Sequence, residues 1–97
     1  MSGAGIRAGR WLLMPRFHLN IFNGSGPVPD ESGQDLADID AAKEQAVMGI
    51  RSILSAEVLE GVMDLRGRIE IADAAGQLLL VVAYAEAVTI KSPEPNG

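Results

Sequence analysis

A single long apolar stripe in the middle of the chain constrains the fold more than any other feature. Apolar residues recur there at spacings of three and four, which places them on one face of an α-helix of about six turns. Asp38 stands at the N-cap position, and Gly61 is a natural C-terminal stop. Gly49 borders the stripe, which we interpret as allowing the helix to approach a sheet closely. The stripe consists of Ile39, Ala42, Ala46, Ile50, Ile53, Leu54 and Val58.

Segments with a period of two flank this helix and predict the sheet on which it packs. Residues 16–22 and 68–72 alternate apolar with polar side chains, as half-buried strands do. Asp73 and Gly76 suit the first and fourth positions of a type I turn that leads into a further strand at 78–84. Residues 28–37 are polar and acidic, and Pro27 and Pro29 exclude a central strand there. At most one short edge strand is expected in that segment.

The last predicted strand is apolar on both of its faces. Leu78, Leu80 and Val82 alternate with a second row formed by Leu79, Val81 and Ala83. One helix can cover only one face of a small sheet, so the second row is left on an open face. Soluble monomers usually avoid a contiguous apolar patch of this kind. Leu79, Val81 and Ala83 are therefore the candidate interface residues.

Together these segments predict an α+β fold with a three- or four-stranded, mainly antiparallel sheet and one long helix on one face. The expected order is strand, optional edge strand, helix, strand, strand. A chain of 97 residues is too short to bury two cores, so one domain is expected. We assign residues 1–13 to a flexible N-terminal extension, 14–90 to the domain and 91–97 to a disordered tail.

Composition excludes several classes of function. The chain has no cysteine, which removes disulfides, thiol catalysis and most structural zinc sites and fits a reducing cytoplasm. Residues 30–44 hold six acids and one lysine, whereas the rest of the chain has seven acids and seven bases. Because the charge cluster is acidic, no binding to nucleic acid is expected. The apolar run from Trp11 to Met14 is too short for a signal peptide or a membrane span.

An ordered set of short segments resembles a family of short alphaproteobacterial proteins of unknown function. Its members typically begin with Met-Pro-Arg-Phe or Met-Pro-Arg-Tyr, and the similarity extends from Met14 to Val88. The resemblance implies a fold and an origin, and it carries over no catalytic residue. Since members usually begin at the position of Met14, residues 1–13 precede the family's usual start. The segments are Met14-Pro15-Arg16-Phe17, Asn23-Gly24, Asp30-Glu31-Ser32-Gly33, Asp38 with Ala41-Ala42, Ile69-Glu70-Ile71, Asp73-Ala74-Ala75-Gly76 and Tyr84-Ala85-Glu86-Ala87-Val88.

Three residues are candidate ligand contacts, namely His18, Arg66 and Arg68. His18 is the one imidazole, but it has no recognisable partner motif for general-base chemistry and also suits the outer face of a strand. Arg66 and Arg68 flank Gly67 and could hold an anion, although alternate polar residues on an exposed strand give the same pattern. The acidic segment does not follow the spacing of a calcium loop. We assign no catalytic, cofactor or metal residue.

These observations favour a small cytosolic interaction or regulatory module that acts as a homodimer or with a protein partner. The first alternative is a small-ligand binding protein or enzyme subunit that uses the crevice between helix and sheet near His18 and Arg68. The second is an antitoxin-like regulator, because an acidic domain can neutralise a basic partner. No membrane or nucleic-acid partner is expected, and enzymatic activity is not expected either.

Overall fold

A computed structural model describes residues 14–93 and places one α-helix and five strands in that part of the chain. The predicted extension at 1–13 lies outside the described residues, as do residues 94–97 of the predicted tail. Residues 91–93 have no regular secondary structure. The elements are β1 (Arg16–Asn23), β2 (Gly26–Val28), β3 (Gln34–Asp35), α1 (Ile39–Leu59), β4 (Arg68–Asp73) and β5 (Leu78–Ala83), followed by a 3-10 turn (Tyr84–Glu86).

The strands form one antiparallel sheet in the order β2-β1-β4-β5, with β3 also paired to β1. β2 pairs with the end of β1 and β3 with its beginning, so the two short strands share one edge. This arrangement confirms the predicted α+β fold with a mainly antiparallel sheet and one helix. The expected single edge strand is divided in two, because the chain leaves the ladder after Val28 in a loop held by Asp30 and returns to β1 at Gln34.

Both ends of α1 lie where the local sequence signals predict them. At the N-terminus, the Asp38 carboxylate accepts a hydrogen bond from the Ala41 N–H at 2.8 Å. At the C-terminus, Gly61 has a φ of +84°, a left-handed conformation that favours glycine. The Gly61 N–H donates to the Val58 carbonyl, and the next N–H donates to the Glu57 carbonyl. These two bonds form a Schellman motif and end the helix.

The core lies between α1 and one face of the sheet. Ala42, Ala46, Ile50 and Leu54 of the predicted stripe are buried, and Ile53 packs against them. Ile39 and Val58 at the two ends of the stripe are exposed, because the helix extends beyond the buried patch at both ends. The buried strand residues that face the helix are Phe17, Leu19, Ile69, Ile71 and Val82.

The hairpin of β4 and β5 has the predicted turn but an irregular first pair. The Gly76 N–H donates to the Asp73 carbonyl at 2.9 Å, which closes the turn. Further along, Ile71 pairs with Leu80 whereas Ala72 pairs with Leu78, which leaves Leu79 as an extra residue on β5. This β-bulge bends the beginning of β5, and Leu80–Ala83 pair regularly with β4.

Candidate interaction surface

The sheet face opposite α1, here called the open face, carries the side chains that alternate with the core residues. Strand register sets Phe22 and Arg68 in one row of this face and Asn20 and Glu70 in the next. Val81 continues the second row on β5. The open face is therefore polar over β1 and β4 and apolar over β5.

The apolar side of the open face is formed by Leu79, Val81 and Ala83. Leu79 is 43% exposed and Val81 is 39% exposed, while Ala83 is half-buried. The neighbouring Leu78 is 52% exposed as well. The structure thus leaves large apolar side chains in contact with solvent on this strand, where the sequence placed the candidate interface. Their role in binding stays a prediction.

β5 is also the last strand of the sheet, so its outer edge carries main-chain groups that β4 does not use. The Tyr84 N–H donates to the Gly67 carbonyl at 2.9 Å, on the β4 side. Main-chain groups alternate along a strand, so those of Val82 and Leu80 also point to β4, and those of Val81 and Ala83 point outward. The Ala83 N–H accordingly donates to the Glu86 carboxylate at 3.2 Å instead of to β4.

The polar side of the open face holds Arg68, whose charge is already balanced. Its Nε lies 2.8 Å from a carboxylate oxygen of Glu70, and its guanidinium lies 4.4 Å from the centre of the Phe22 ring. Arg68 is thus engaged in an ion pair and a cation–π contact within the sheet. Arg66 stands nearby and lines a surface depression together with Arg68 and Phe22.

Arg66 is paired in the same way as Arg68. Its Nε lies 2.9 Å from the Asp64 carboxylate, and its main-chain N–H donates to the same group. The guanidinium hydrogen bond, helped by the main-chain one, lowers the pKa of Asp64 from its ordinary 3.8 to about 2. Both arginines named as ligand candidates therefore have an acidic partner within the domain.

His18 lies apart from the two arginines. Its Nδ1 is 2.6 Å from the Asp30 carbonyl oxygen, to which only an N–H can donate. The residue opposite it on β4 is Ala72, whereas Arg68 is opposite Phe22, about 13 Å further along β1. The structure does not bring His18 and the arginines into one site. His18 and Arg68 also point to the open face, away from the crevice between helix and sheet for which they were considered.

The residue that sequence reasoning missed is Asp30, which fastens the loop between β2 and β3 to β1. Its carboxylate accepts from the Leu19 and Gly33 N–H groups, each at 3.1 Å. Its own N–H donates to the Asn20 amide oxygen at 2.8 Å. The one local signal is the spacing of Asp30 and Gly33, typical of a turn. The bond to Leu19 spans eleven residues and has no sequence signature.

A crevice does exist between the helix and the sheet, at the β1 edge, with a volume of about 490 Å³. A Cβ added at Gly49 would lie 3.9 Å from the nearest atom, Cδ1 of Ile69, which is ordinary contact. The expectation that Gly49 permits a close approach of helix and sheet is therefore wrong; the glycine leaves space instead. The crevice is lined by Leu19, Ile21, Val28, Pro29, Asp30, Gln34, Gln45, Met48, Gly49 and Ile69.

Residues 14–93 contain neither a metal-binding cluster nor a membrane-spanning helix. In this part of the chain, histidines and acids do not form a group of three or more that could hold a metal ion. Within the same residues, α1 is not apolar enough over a sufficient length to cross a membrane.

Fold and surface together define a small α+β domain with one sheet face covered by a helix and the other left open. The family described as a domain of unknown function, DUF6894, matches residues 16–85. The match covers most of the chain, and the protein belongs to this family. No curated protein and no solved structure matched the chain.

Proposed function

We propose that this domain is a small interaction or regulatory module that docks a protein through β5, either a second copy of itself or another chain. The observation that carries the proposal is the exposure of Leu79 and Val81 side by side on the open face. Apolar side chains clustered on a surface mark protein contacts more often than they mark catalysis. The ion pairs of Arg66 and Arg68 support the same view, because each guanidinium already has a carboxylate partner within the domain.

The test is the mass of the full chain in solution. Light scattering at micromolar concentration should report about twice the chain mass for a homodimer, the commonest symmetric assembly. Leu79→Asp places a charge in the apolar row and should shift the protein to the monomer. Val62→Asp is the matched control, since Val62 is 53% exposed in the loop after α1 and lies outside the row.

Two results would count against this proposal. One is a wild type that is monomeric by light scattering, keeps the same mass in the Leu79→Asp variant and binds no protein in the native host. The other is an equal shift from dimer to monomer in Leu79→Asp and Val62→Asp. That result would show that added charge in general, and not contact through the Leu79 surface, changes the assembly. Circular dichroism of both variants establishes that they are folded.

A second candidate is a small apolar ligand in the crevice beside Gly49. The space left by the missing side chain and the apolar walls formed by Ile21 and Met48 favour it. The probe is 8-anilinonaphthalene-1-sulfonate, whose fluorescence should rise on binding. Gly49→Leu should remove that signal, whereas Ser52→Leu on the exposed side of α1 should not. An unchanged signal in Gly49→Leu would exclude the crevice.

We further propose that the family consists of cytoplasmic alphaproteobacterial proteins that begin with Met-Pro-Arg-Phe or Met-Pro-Arg-Tyr. Support comes from Met14-Pro15-Arg16-Phe17, which stands where the family match begins. Alignment of the start sites and source genomes of family members tests this. Members that mostly start well upstream of that motif, or that come from other bacterial classes, would contradict it.

A further inference from the structure

The two edges of the sheet are treated differently in this fold. At the β1 edge, β2 and β3 pair with the two ends of the strand, and the Asp30 carboxylate accepts the Leu19 N–H between them. β1 is therefore covered at both of its ends and at the Leu19 N–H between them. At the β5 edge, no strand pairs with the outward groups among residues 14–93.

The free part of the β5 edge is short and sharply bounded. The bulge at Leu79 disrupts the ladder at one end, and the Glu86 carboxylate occupies the Ala83 N–H at the other. Between them, the Val81 N–H and C=O point outward and have no partner in the described part of the chain. The strand Leu78–Ala83 contains no charged residue and no proline, the devices that usually block pairing at an edge.

We infer that β5 pairs antiparallel with β5 of a second copy, with Val81 opposite the partner's Val81. The inference rests on the proposed docking function and names its partner and its geometry. The outward N–H and C=O of Val81 bond to the same groups of the partner, as in a hydrogen-bonded antiparallel pair. The two sheets become one continuous sheet with both helices on the same side.

A second copy fits this edge because one arrangement satisfies two exposed features together. Antiparallel pairing about Val81 sets the Leu79 side chain beside the partner's Ala83 on the open face, while the main-chain bonds are limited to Val81 because Glu86 holds the Ala83 N–H. The exposed apolar rows of the two copies then continue into each other across the new strand pair. The pairing is isologous, so the same short free edge serves both partners.

Charge also favours contact at β5, where Glu86 is bonded to the end of the edge, over contact at the opposite edge of the sheet. The acids Asp30 and Glu31 lie in the loop before β3, at the opposite edge of the sheet, where Asp35 is paired with Arg16. In the paired arrangement the two acidic edges are about seven strand spacings apart, roughly 34 Å. That separation far exceeds the Debye length of about 8 Å at physiological salt. Contact through the β1 edge would instead bring the like charges of the two copies together.

The decisive experiment uses single cysteines, which are clean probes because the chain has none of its own. Val81→Cys places the two thiols on residues whose Cα atoms are about 5.5 Å apart, within the range a disulfide spans. Leu79→Cys and Ala83→Cys are matched controls, since each is about 14 Å from its own copy in this register. Oxidation should cross-link Val81→Cys, and the two controls should stay largely uncross-linked.

A main-chain variant tests the edge itself. Val81→Pro removes the outward N–H without removing a bond to β4, a position that tolerates proline. It should weaken the dimer at least tenfold, whereas Val81→Thr keeps the N–H and the branched shape and should remain dimeric. Light scattering over a dilution series measures both.

The outcomes separate this inference from the proposed function. Cross-linking confined to Val81→Cys, with Val81→Pro monomeric, supports edge pairing. If the wild type is a dimer but Leu79→Cys cross-links as readily as Val81→Cys, edge pairing is wrong while the docking function stands. The same conclusion follows if Val81→Pro remains dimeric. If the wild type is a monomer at all concentrations, the inference that a second copy is the partner is wrong.

Discussion

At the scale of single residues, Gly67 lies in close contact with the ring of Tyr84. Tyr84 is fully buried, and a Cβ on Gly67 would lie 2.7 Å from its ring and 2.9 Å from the Phe22 carbonyl oxygen. The ring and the main chain cannot both move aside, so only glycine fits. The Tyr84 hydroxyl is buried and has no hydrogen-bond partner among residues 14–93. The Tyr84 side chain is therefore held by packing of its ring and not by its hydroxyl.

We expect Gly67→Ala to lower the free energy of unfolding by about 1–3 kcal/mol, as overpacking of a filled core does. Tyr84→Phe should be neutral or slightly stabilising, because it removes an unpaired buried hydroxyl. Gly24→Ala is the matched control, since its added Cβ would lie 3.5 Å from Asp64 in ordinary contact. Urea titrations measure all three. If Tyr84→Phe had a lower free energy of unfolding than Gly67→Ala, the Tyr84 hydroxyl would have a hydrogen-bond partner.

At the scale of elements, the Asp30 carboxylate takes the position of a paired strand beside the middle of β1. Asp30 accepts the Leu19 N–H that neither β2 nor β3 reaches, and it also accepts the Gly33 N–H that returns the chain to β3. Gly33 has a φ of +75°, and a Cβ there would lie 2.9 Å from the Arg16 side chain. Asp30 and Gly33 together therefore hold the loop against β1.

Asp30→Ala should destabilise the domain by about 1–3 kcal/mol, the cost of leaving half-buried main-chain donors unpaired. Amide hydrogen exchange should accelerate at Leu19 and Gly33 more than at the β4–β5 hairpin. Glu31→Ala is the control, because Glu31 is exposed in the same loop. Equal effects of the two substitutions would mean that the loss of negative charge, and not the hydrogen bonds, determines the result.

At the scale of the whole molecule, pairing of β5 links stability to protein concentration. If the folded state is a dimer, each tenfold rise in concentration adds about 1.4 kcal/mol per dimer to the free energy of unfolding. The urea midpoint of the wild type should rise accordingly, and that of Val81→Pro should stay constant. A wild-type midpoint independent of concentration would contradict a folded dimer over the range measured.

Local signals in the sequence determined the elements of this protein. Asp38 and Gly61 end the helix through bonds to main-chain groups only a few residues away, and Asp73 and Gly76 close the hairpin in the same way. The period of the apolar residues settled which side of α1 is buried, because a helix and a strand each repeat at one spacing. The fold class and the exposed row at Leu79 and Val81 follow from these short-range rules.

Tertiary structure alone decided how the surface is arranged. That Asp30 bonds to Leu19 and that Leu79 is a bulge depend on which main-chain groups the neighbouring strands leave unpaired. The separation of His18 from Arg68 depends on strand register, which joins residues about fifty apart in the chain. Such contacts are set by pairing between distant segments, and no local spacing encodes them. For that reason the apolar row at Leu79 and Val81 could be predicted from the sequence, whereas only the fold determined that β5 has a free edge.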